Sequence, residues 1–339
     1  MKKSDTIILF VLVASLFTTS VIGTVQAANW NKISSPTDAN FESVKIISSN
    51  DGWIVGSDGI IIHWDGTTWN VVASPTSYTL KSVDFISSTE AWAVNFGVAY
   101  ASDHSIIRWD GANWNNVAIE GRWNSLDMIS STDGWAVGPA GMIIRWNGTN
   151  WNHVESPTNE PLFAIDMVDS NDGWAVGQRG VIIHWDGTNW SIVKDPELTG
   201  HRWLYSICMV SHTEGWAVGD GGTIMKWNGE TWEHVTSPTT KHLFSVDMFN
   251  SNEGWAVGTD GAIIRWDGNS WRNVTSPTSE WLNSVDIFDS SEAWIVGANG
   301  TIYRWQEETS NGAITYILSI SVVVIVAIVV FFLRKRSML

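Results

Sequence analysis

A tryptophan pattern recurs seven times along this chain at intervals of 39 to 43 residues. Its first series lies in segments such as GWIVG and GWAVG, at Trp53, Trp92, Trp135, Trp174, Trp216, Trp255 and Trp294. A second series follows 11 residues later, or 17 in the second repeat, at Trp64, Trp109, Trp146, Trp185, Trp227, Trp266 and Trp305. A third series comes five residues after the second, at Trp69, Trp114, Trp151, Trp190, Trp232 and Trp271. A fixed period near 40 residues indicates an array of equivalent structural units.

The missing member of the third series lies at the other end of the repeats. Trp30 precedes Trp53 by 23 residues, which is the gap between Trp151 and Trp174. The first segment therefore supplies the element that the last repeat lacks. A half-unit that completes the final unit predicts a closed ring and argues against an open spiral.

One repeat, residues 243–275, shows how a unit is built. Four short apolar segments are separated by turn clusters, near 243–249, 255–258, 262–266 and 271–275. Asp267-Gly268 is a strong hairpin signal, with positive φ expected at both residues. Four short antiparallel strands in about 40 residues are typical of a propeller blade. The sequence therefore predicts an all-β, seven-bladed propeller over residues 29–305, with strands a to d in each blade and the last blade closed by the N-terminal strand. A parallel superhelix, the competing array, needs no such hairpins. The serial tryptophans are expected to fill the core between blades.

Two apolar segments lie outside the repeats. Residues 1–27 have two lysines, an apolar run and a final Val-Gln-Ala, which is the layout of a secretory signal peptide. Residues 314–333 form 20 uncharged residues and are followed by Arg334, Lys335 and Arg336. This pattern predicts a transmembrane helix with a cytoplasmic tail at 334–339 and a tether at 306–313. The expected topology is a single-pass cell-membrane protein with its propeller outside the cell.

Charge limits the choice of partners. Between the two apolar segments the chain has 14 basic and 34 acidic residues. A domain with this excess of acidic residues repels phosphate backbones, so nucleic acid is not expected as a ligand. Cys208 is the only cysteine and is expected to be a small buried apolar residue.

The repeat GWAVG-x-x-G-x-I-x-RWDG-x-x-W resembles the BNR/Asp-box-like propeller repeats, especially those of photosystem II assembly and stability factor-like proteins and their prokaryotic surface relatives. The Trp-Asp-Gly-x-x-Trp turn is one residue shorter than a strict Asp box. The resemblance covers residues 29–305 and implies a propeller. It also implies either an assembly factor that binds protein clients or, more distantly, a sialidase. A sialidase-like site requires three arginines around a carboxylate and a tyrosine beside a glutamate. Arg122, Arg179 and Arg202, with Tyr205 or Tyr100, are the residues that could approach this arrangement.

Each propeller has two rims. We define the uniform rim by the a–b and c–d turns, which are short and similar in all repeats, and the variable rim by the segments that precede strand a and join b to c. The variable rim holds the six-residue insertion in Asn95–Ser105, the longer segment Asp195–Trp203, and three tryptophans outside the series. Exposed aromatic, arginine and histidine side chains suit a binding surface. The candidate ligand-binding residues are Tyr100, His104, Arg122, Trp123, Arg179, His201, Arg202, Trp203, His242 and Trp281. Trp123 aligns with Leu80 and Leu162, so a core position is its alternative.

Catalytic and metal sites are not expected. Five strand-a aspartates recur, but Lys45 and Cys208 replace them in the other two blades, which favours a backbone hydrogen-bonding role. His63 and His184 align with arginines and are expected to be part of the scaffold. We therefore predict a non-catalytic module without a cofactor that binds an envelope protein or a glycan; a glycosidase and a purely structural role are the alternatives. Four sequons predict possible glycosylation, at Asn147, Asn189, Asn273 and Asn299.

Overall fold

The computed structural model describes residues 30–97, 105–117, 119–193 and 202–306. Within them, 28 strands form seven four-stranded antiparallel sheets, each a blade with its strands in the order a, b, c, d. The strands of the first two blades are, in blade 1, β2 Phe41–Ser48, β3 Asp51–Gly56, β4 Ile61–Trp64 and β5 Trp69–Val72, and in blade 2, β6 Leu80–Ser87, β7 Glu90–Asn95, β8 Ile106–Trp109 and β9 Trp114–Val117. Those of the next three are, in blade 3, β10 Ser125–Ser130, β11 Asp133–Val137, β12 Ile143–Trp146 and β13 Trp151–Val154; in blade 4, β14 Leu162–Asp169, β15 Asp172–Gly177, β16 Ile182–Trp185 and β17 Trp190–Ile192; and in blade 5, β18 Leu204–Ser211, β19 Glu214–Gly219, β20 Ile224–Trp227 and β21 Trp232–His234. Those of the last two are, in blade 6, β22 Leu243–Asn250, β23 Glu253–Gly258, β24 Ile263–Trp266 and β25 Trp271–Asn273, and in blade 7, β26 Leu282–Asp289, β27 Glu292–Gly297, β28 Ile302–Gln306 and β1 Trp30–Lys32.

The ring closes as the tryptophan spacing predicts. Strand β1 pairs antiparallel with β28, and Trp30 lies opposite Trp305. The pairing continues one residue further, because Ile33 donates its N–H to the carbonyl of Ile302 at 3.0 Å. Without β1 the outer edge of blade 7 would present unpaired backbone groups. The N-terminal segment therefore holds together the two ends of the propeller.

The tryptophans pack between neighbouring blades around the whole circle. The strand-b tryptophan of each blade contacts the strand-c and strand-d tryptophans of the next blade, with ring centroids 4.7–5.8 Å apart. The contacts of Trp255 with Trp30 and Trp305 continue this arrangement through the closure. All the serial tryptophans are buried except Trp109 and Trp227, which are half-buried. Their predicted core role is confirmed.

A contact between an acidic and a basic side chain on the uniform side of each blade supports the strand-b tryptophan. An acidic residue at the start of strand b binds a basic residue of strand c at 2.5–2.9 Å in all seven blades: Asp51–His63, Glu90–Arg108, Asp133–Arg145, Asp172–His184, Glu214–Lys226, Glu253–Arg265 and Glu292–Arg304. The basic group also lies against the strand-b tryptophan, as Arg145 does over Trp135 at 4.7 Å. His63 and His184 are therefore scaffold residues, as predicted.

The turns between strands c and d differ from the sequence prediction. Gly268 has a φ of 86°, whereas the φ of Asp267 is not positive. The turn is therefore not a two-residue hairpin loop in which both residues are left-handed. Four residues separate Trp266 from its partner Trp271, and the Asp267 carboxylate accepts the N–H groups of Asn269 and Ser270. The Asp267 side chain thus satisfies backbone N–H groups of the turn, and a second left-handed residue is not needed.

Candidate functional site

The innermost strand of each blade lines a central channel and binds the next blade through its side chains. Four aspartates accept a backbone N–H from the following blade at 2.6–2.8 Å: Asp84 from Met128, Asp127 from Met167, Asp247 from Ile287 and Asp286 from Ile46. Asp166 accepts the N–H of Met209 in the same way. The predicted backbone role of these residues is therefore confirmed. Serines two positions earlier add a parallel layer; for example, Ser245 Oγ accepts the N–H of Val285 at 3.1 Å.

The channel is rich in carboxyl groups: Asp286 is buried, and the other four strand-a aspartates are half-buried. Its cavity of about 160 Å³ is lined by five aspartates, Lys45 and Cys208. Lys45 Nζ lies 3.0 Å from Asp286, and this carboxylate raises the lysine pKa well above its ordinary value. Burial raises the pKa of Asp84, Asp127 and Asp247, and raises that of Asp166 to about 6. Burial also raises the pKa of the Cys208 thiol, which is therefore an unreactive apolar group.

At the variable rim the mouth of the channel is divided into two halves. In each blade one residue at the start of strand a faces this mouth. In most blades it is the second residue of the strand. The side chains lining it are polar in blades 7, 1, 2 and 3 and aromatic in blades 4, 5 and 6. The polar residues are Asn283, Glu42, Lys81 and Asn124, and Lys81 Nζ binds Glu42 at 2.9 Å. The cavity above them measures about 490 Å³.

The aromatic half forms one continuous cluster, which we call the aromatic platform: Phe163, Trp203, Tyr205, Phe244 and Trp281. Its ring centroids are 5.4–6.2 Å apart, in the sequence Phe163–Trp203–Tyr205–Phe244–Trp281, and Phe163 also contacts Tyr205. Trp203 is 38% exposed and Trp281 is 54% exposed, whereas the other three side chains are half-buried. A contiguous aromatic patch that is partly exposed commonly marks a binding site, whereas single exposed apolar residues are normal on a soluble surface.

Asp220 holds the centre of the platform in place. Its carboxylate accepts the Tyr205 hydroxyl at 2.7 Å and the backbone N–H of Trp203 at 3.1 Å, and lies 3.0 Å from Nδ1 of His242. Burial and this hydrogen bond raise the pKa of the Tyr205 hydroxyl. Arg202 donates to the carbonyls of Asp220 and Gly221, at 3.1 and 3.3 Å. Tyr205 is therefore a fixed, neutral hydrogen-bond donor.

The predicted site residues are only partly brought together. Trp203 and Trp281 belong to the platform. His242 and Arg202 contact Asp220, the residue that holds the centre of the platform in place. Arg179 lies on a tight b–c turn with a φ of 57° and binds Glu160 at 2.9 Å. Tyr100, His104 and His201 lie outside the described residues.

Trp123 has the alternative role foreseen for it. Its side chain is fully buried, and its Nε1 donates to Ser105 Oγ at 2.9 Å. It packs in the core between blades 2 and 3, with Trp92 and Trp146. Because it occupies the position of Leu80 and Leu162, it fills the core and cannot contact a ligand at the rim. Its inclusion among the binding residues was wrong.

The three arginines of the glycosidase alternative have separate local partners. Arg122 stacks over Phe96 at 5.1 Å, Arg179 binds Glu160, and Arg202 binds backbone carbonyls. Tyr205 is paired with an aspartate, not with the glutamate that such a site requires. In the segments that the structure describes, no group of three or more histidine, cysteine, aspartate or glutamate side chains is arranged to hold a metal ion.

Phe163 and Phe244 were missed by the sequence reasoning, and Tyr205 was considered only as a catalytic residue. All three lie at a single repeat position, directly after the large apolar residue that begins strand a. Across the seven blades this position reads Glu, Lys, Asn, Phe, Tyr, Phe and Asn. Comparing the blades position by position would therefore have found the platform.

The four sequon asparagines are exposed, and glycosylation stays a prediction. Asn147 and Asn189 lie in c–d turns on the uniform rim. Asn273 donates its side-chain amide to the carbonyl of Pro238 at 2.9 Å, and Asn299 donates to Glu280 at 2.8 Å. The predicted signal peptide 1–27, the transmembrane segment 314–333 and the tail 334–339 lie outside the described residues, as does the tether beyond Gln306. Within the described residues no helix has the length and apolar character needed to cross a membrane.

Comparison with known proteins supports the architecture. No protein-family model matches the chain, so no family match supports the resemblance to Asp-box repeats. No curated protein matches the chain either. Among solved structures, YCF48 bound to D1 peptide matches with a TM-score of 0.69 at 20% identity, over 83% of this chain and 96% of that one. YCF48 from Cyanidioschyzon merolae matches with a TM-score of 0.68 at 19% identity, over 84% and 100%. The WD40 propeller domain of Doa1 matches with a TM-score of 0.67 at 13% identity, over 83% and 98%. These similarities establish the propeller fold.

Proposed function

We propose that this chain is a non-catalytic binding propeller that holds an extended segment of a partner protein on the aromatic platform. The observation that carries the proposal is the continuous cluster of five aromatic side chains at the channel mouth, with Trp203 and Trp281 exposed. Aromatic residues at the centre of a surface commonly supply most of the binding energy of a protein interface.

The shape of the platform favours a peptide over a sugar ring. Successive rings are inclined to one another by 34–75°, so they form crevices and do not form one flat face. Crevices of this kind accept individual side chains of an extended segment. The polar half of the mouth, with Asn124, Asn283 and the Lys81–Glu42 pair, offers hydrogen-bonding groups for the backbone of such a segment. YCF48, which has the same fold, is bound to D1 peptide in its structure.

The location belongs to the same proposal. The signal-like residues 1–27 and the apolar segment 314–333 favour export and a single membrane anchor. A partner in the cell envelope, including a client protein in the assembly of a membrane complex, fits this location.

Site-specific crosslinking tests the proposal in the producing cell. A photoreactive residue replaces Trp281 in one full-length variant and Phe249 in a control, since Phe249 is 43% exposed at the uniform-rim end of β22. We expect a defined protein crosslink from position 281 and none from position 249. The identified partner is then purified and its affinity for the wild-type chain is measured by calorimetry. Crosslinks from position 249 alone, or binding only to glycans on an array, would contradict a peptide-binding platform.

A further inference from the structure

We infer that the segment held on the aromatic platform carries a lysine or arginine side chain that enters the central channel. This inference rests on the proposed function and names the chemistry of its partner. It follows from the position of the channel carboxylates beneath the platform and from the presence of one basic side chain, Lys45, among the five aspartates that line the cavity.

The platform and the carboxylates lie on the same strands. In blades 2, 3, 4, 6 and 7 the residue at the mouth is followed three positions later by a channel aspartate, as Phe244 is by Asp247. Three residues of extended strand span about 10 Å. The cavity lined by the aspartates occupies this next layer of the same seven strands. A side chain with the long stem of lysine or arginine can therefore start from a backbone at the mouth and extend towards the carboxylate layer.

The charges of the channel differ from those elsewhere in the propeller. Every strand-b acid on the uniform side has its own basic partner, whereas in the channel Lys45 pairs only with Asp286. Among the residues that the structure describes, the carboxylates of Asp84, Asp127, Asp166 and Asp247 have no basic side chain within ion-pair distance, and their recorded polar contacts are mainly backbone N–H groups. Burial raises the pKa of all four carboxyl groups, and the more distant charge of Lys45 offsets this only in part.

The platform complements such a guest. The aliphatic stem of a basic side chain packs on aromatic surface while its charged end reaches a polar region. A cation near the faces of tyrosine and tryptophan also gains from their ring electrons. An acidic or purely apolar guest would gain nothing from the four aspartates that lack an ion-pair partner. Charge complementarity therefore selects a basic side chain.

Two predictions about binding conditions follow from the electrostatics. A bound cation favours the ionised carboxylates, so affinity should rise as pH increases from 5 to 7, across the pKa of Asp166 near 6. Affinity should fall when salt is added, because part of the attraction is between charges.

A peptide-display selection on the immobilised full-length chain tests the inference. The probes are random 12-residue peptides, followed by a synthetic copy of an enriched peptide and the same peptide with norleucine at its basic position. Affinities are measured for the wild type, Asp127→Asn, the double variant Asp127→Asn/Asp166→Asn, and Trp281→Ala. Asparagine keeps an oxygen for the N–H groups of Met167 and Met209, so the contacts between blades can persist. Glu160→Gln is the matched control, because it removes one negative charge from the variable rim outside the channel.

We expect enrichment of peptides that combine aromatic or proline residues with a lysine or arginine at one fixed position. The double channel variant should weaken the basic peptide by tenfold or more and the norleucine peptide by less than twofold. Glu160→Gln should change neither affinity by more than twofold. If enriched peptides depend on Trp281 but show no basic position, or if the channel variants bind the basic peptide as the wild type does, the inference is wrong and the proposed function stands. If Trp281→Ala leaves all binding unchanged, the proposed function itself fails.

Discussion

The two rims of this propeller are built from the same repeats. At the uniform rim the seven blades are nearly alike, whereas at the variable rim they differ from one another. At the uniform rim all seven blades have the acid–base pair beside the strand-b tryptophan, and six have a c–d turn capped by an aspartate or asparagine. At the variable rim the residue facing the channel mouth changes from charged or amide in four blades to aromatic in three. Positions that are the same in all blades hold the ring together, and positions that differ are available for binding.

The largest expected effect is a difference in stability between variants of two tryptophans near the start of strand a, Trp123 and Trp281. Trp123→Ala removes a fully buried side chain and its hydrogen bond to Ser105, and should cost about 3–5 kcal/mol of unfolding free energy. Trp281→Ala removes an exposed side chain and should change stability by less than about 0.5 kcal/mol. Urea unfolding followed by tryptophan fluorescence measures both. Equal costs for the two variants would mean that Trp281 is also a core residue.

The second prediction contrasts binding at the two rims. Trp281→Ala should weaken the partner segment by about 30-fold, which corresponds to about 2 kcal/mol, as is common for a central aromatic residue in an interface. Phe249→Ala, a similarly exposed aromatic at the opposite end of a strand a, should leave the affinity within twofold. Calorimetric titration provides both numbers. A reversal of the two effects would move the binding surface to the uniform rim.

The third prediction compares two ion pairs of different burial. Glu292 binds Arg304 at 2.7 Å, accepts the Trp294 N–H, and is nearly buried, so Glu292→Gln should cost about 2 kcal/mol by leaving Arg304 without its counter-ion. The Arg179–Glu160 pair on the variable rim is exposed, and Arg179→Ala should cost about 0.5 kcal/mol or less. Denaturation midpoints of the two variants are the measurement. A large cost for Arg179→Ala would show that the variable rim also supports the ring.

The smallest effect is a pH dependence in which two sets of aspartates act in opposite directions. Hydrogen bonds lower the pKa of the c–d turn residues: the Thr67 hydroxyl for Asp65, and backbone N–H groups for Asp110, Asp186 and Asp267. Their stabilising contribution is present above pH 4 and is lost as pH falls further. The channel carboxyls of Asp84, Asp127, Asp166 and Asp247 have raised pKa values, so their contribution is present at low pH and is lost as pH rises through the folded-state values, near 6 for Asp166.

The melting temperature should therefore be highest at about pH 4, because the turn aspartates are ionised there and the channel carboxyls have not yet lost their contribution. Stability should fall by about 1–2 kcal/mol between pH 5 and pH 7.5. The Asp166→Asn variant should lose less over this range than the wild type. Calorimetric scans across pH test this, and a Tm that rises steadily from pH 5 to 7.5 in both proteins would contradict the burial of these carboxyls.

The ring could be predicted from sequence because its determinants repeat. The spacing of Trp30 from Trp53 was enough to predict the pairing of β1 with β28, since each blade needs a fourth strand. The backbone role of the strand-a aspartates followed from their replacement by Lys45 and Cys208. The conformation of the c–d turn was not predicted, because a side-chain cap and a second left-handed residue satisfy the same backbone groups.

The platform was only half predictable. Trp203 and Trp281 stood out because they interrupt the repeats, whereas Phe163 and Phe244 occupy a regular strand position and look like core residues in any single repeat. Trp123 misled for the opposite reason. It is an unusual residue at a position whose burial is the same in all blades. Only the ring arrangement, which brings one position from every blade to the channel mouth, separates these cases.

Hydrogen–deuterium exchange of the full-length chain, with and without a saturating bound peptide, tests the central claim most directly. If the variable rim binds and the uniform rim is scaffold, amide exchange should slow in residues 203–206, 242–245 and 280–284 and stay unchanged in the turn at 267–270. Protection in the c–d turns without any at the channel mouth would contradict the account.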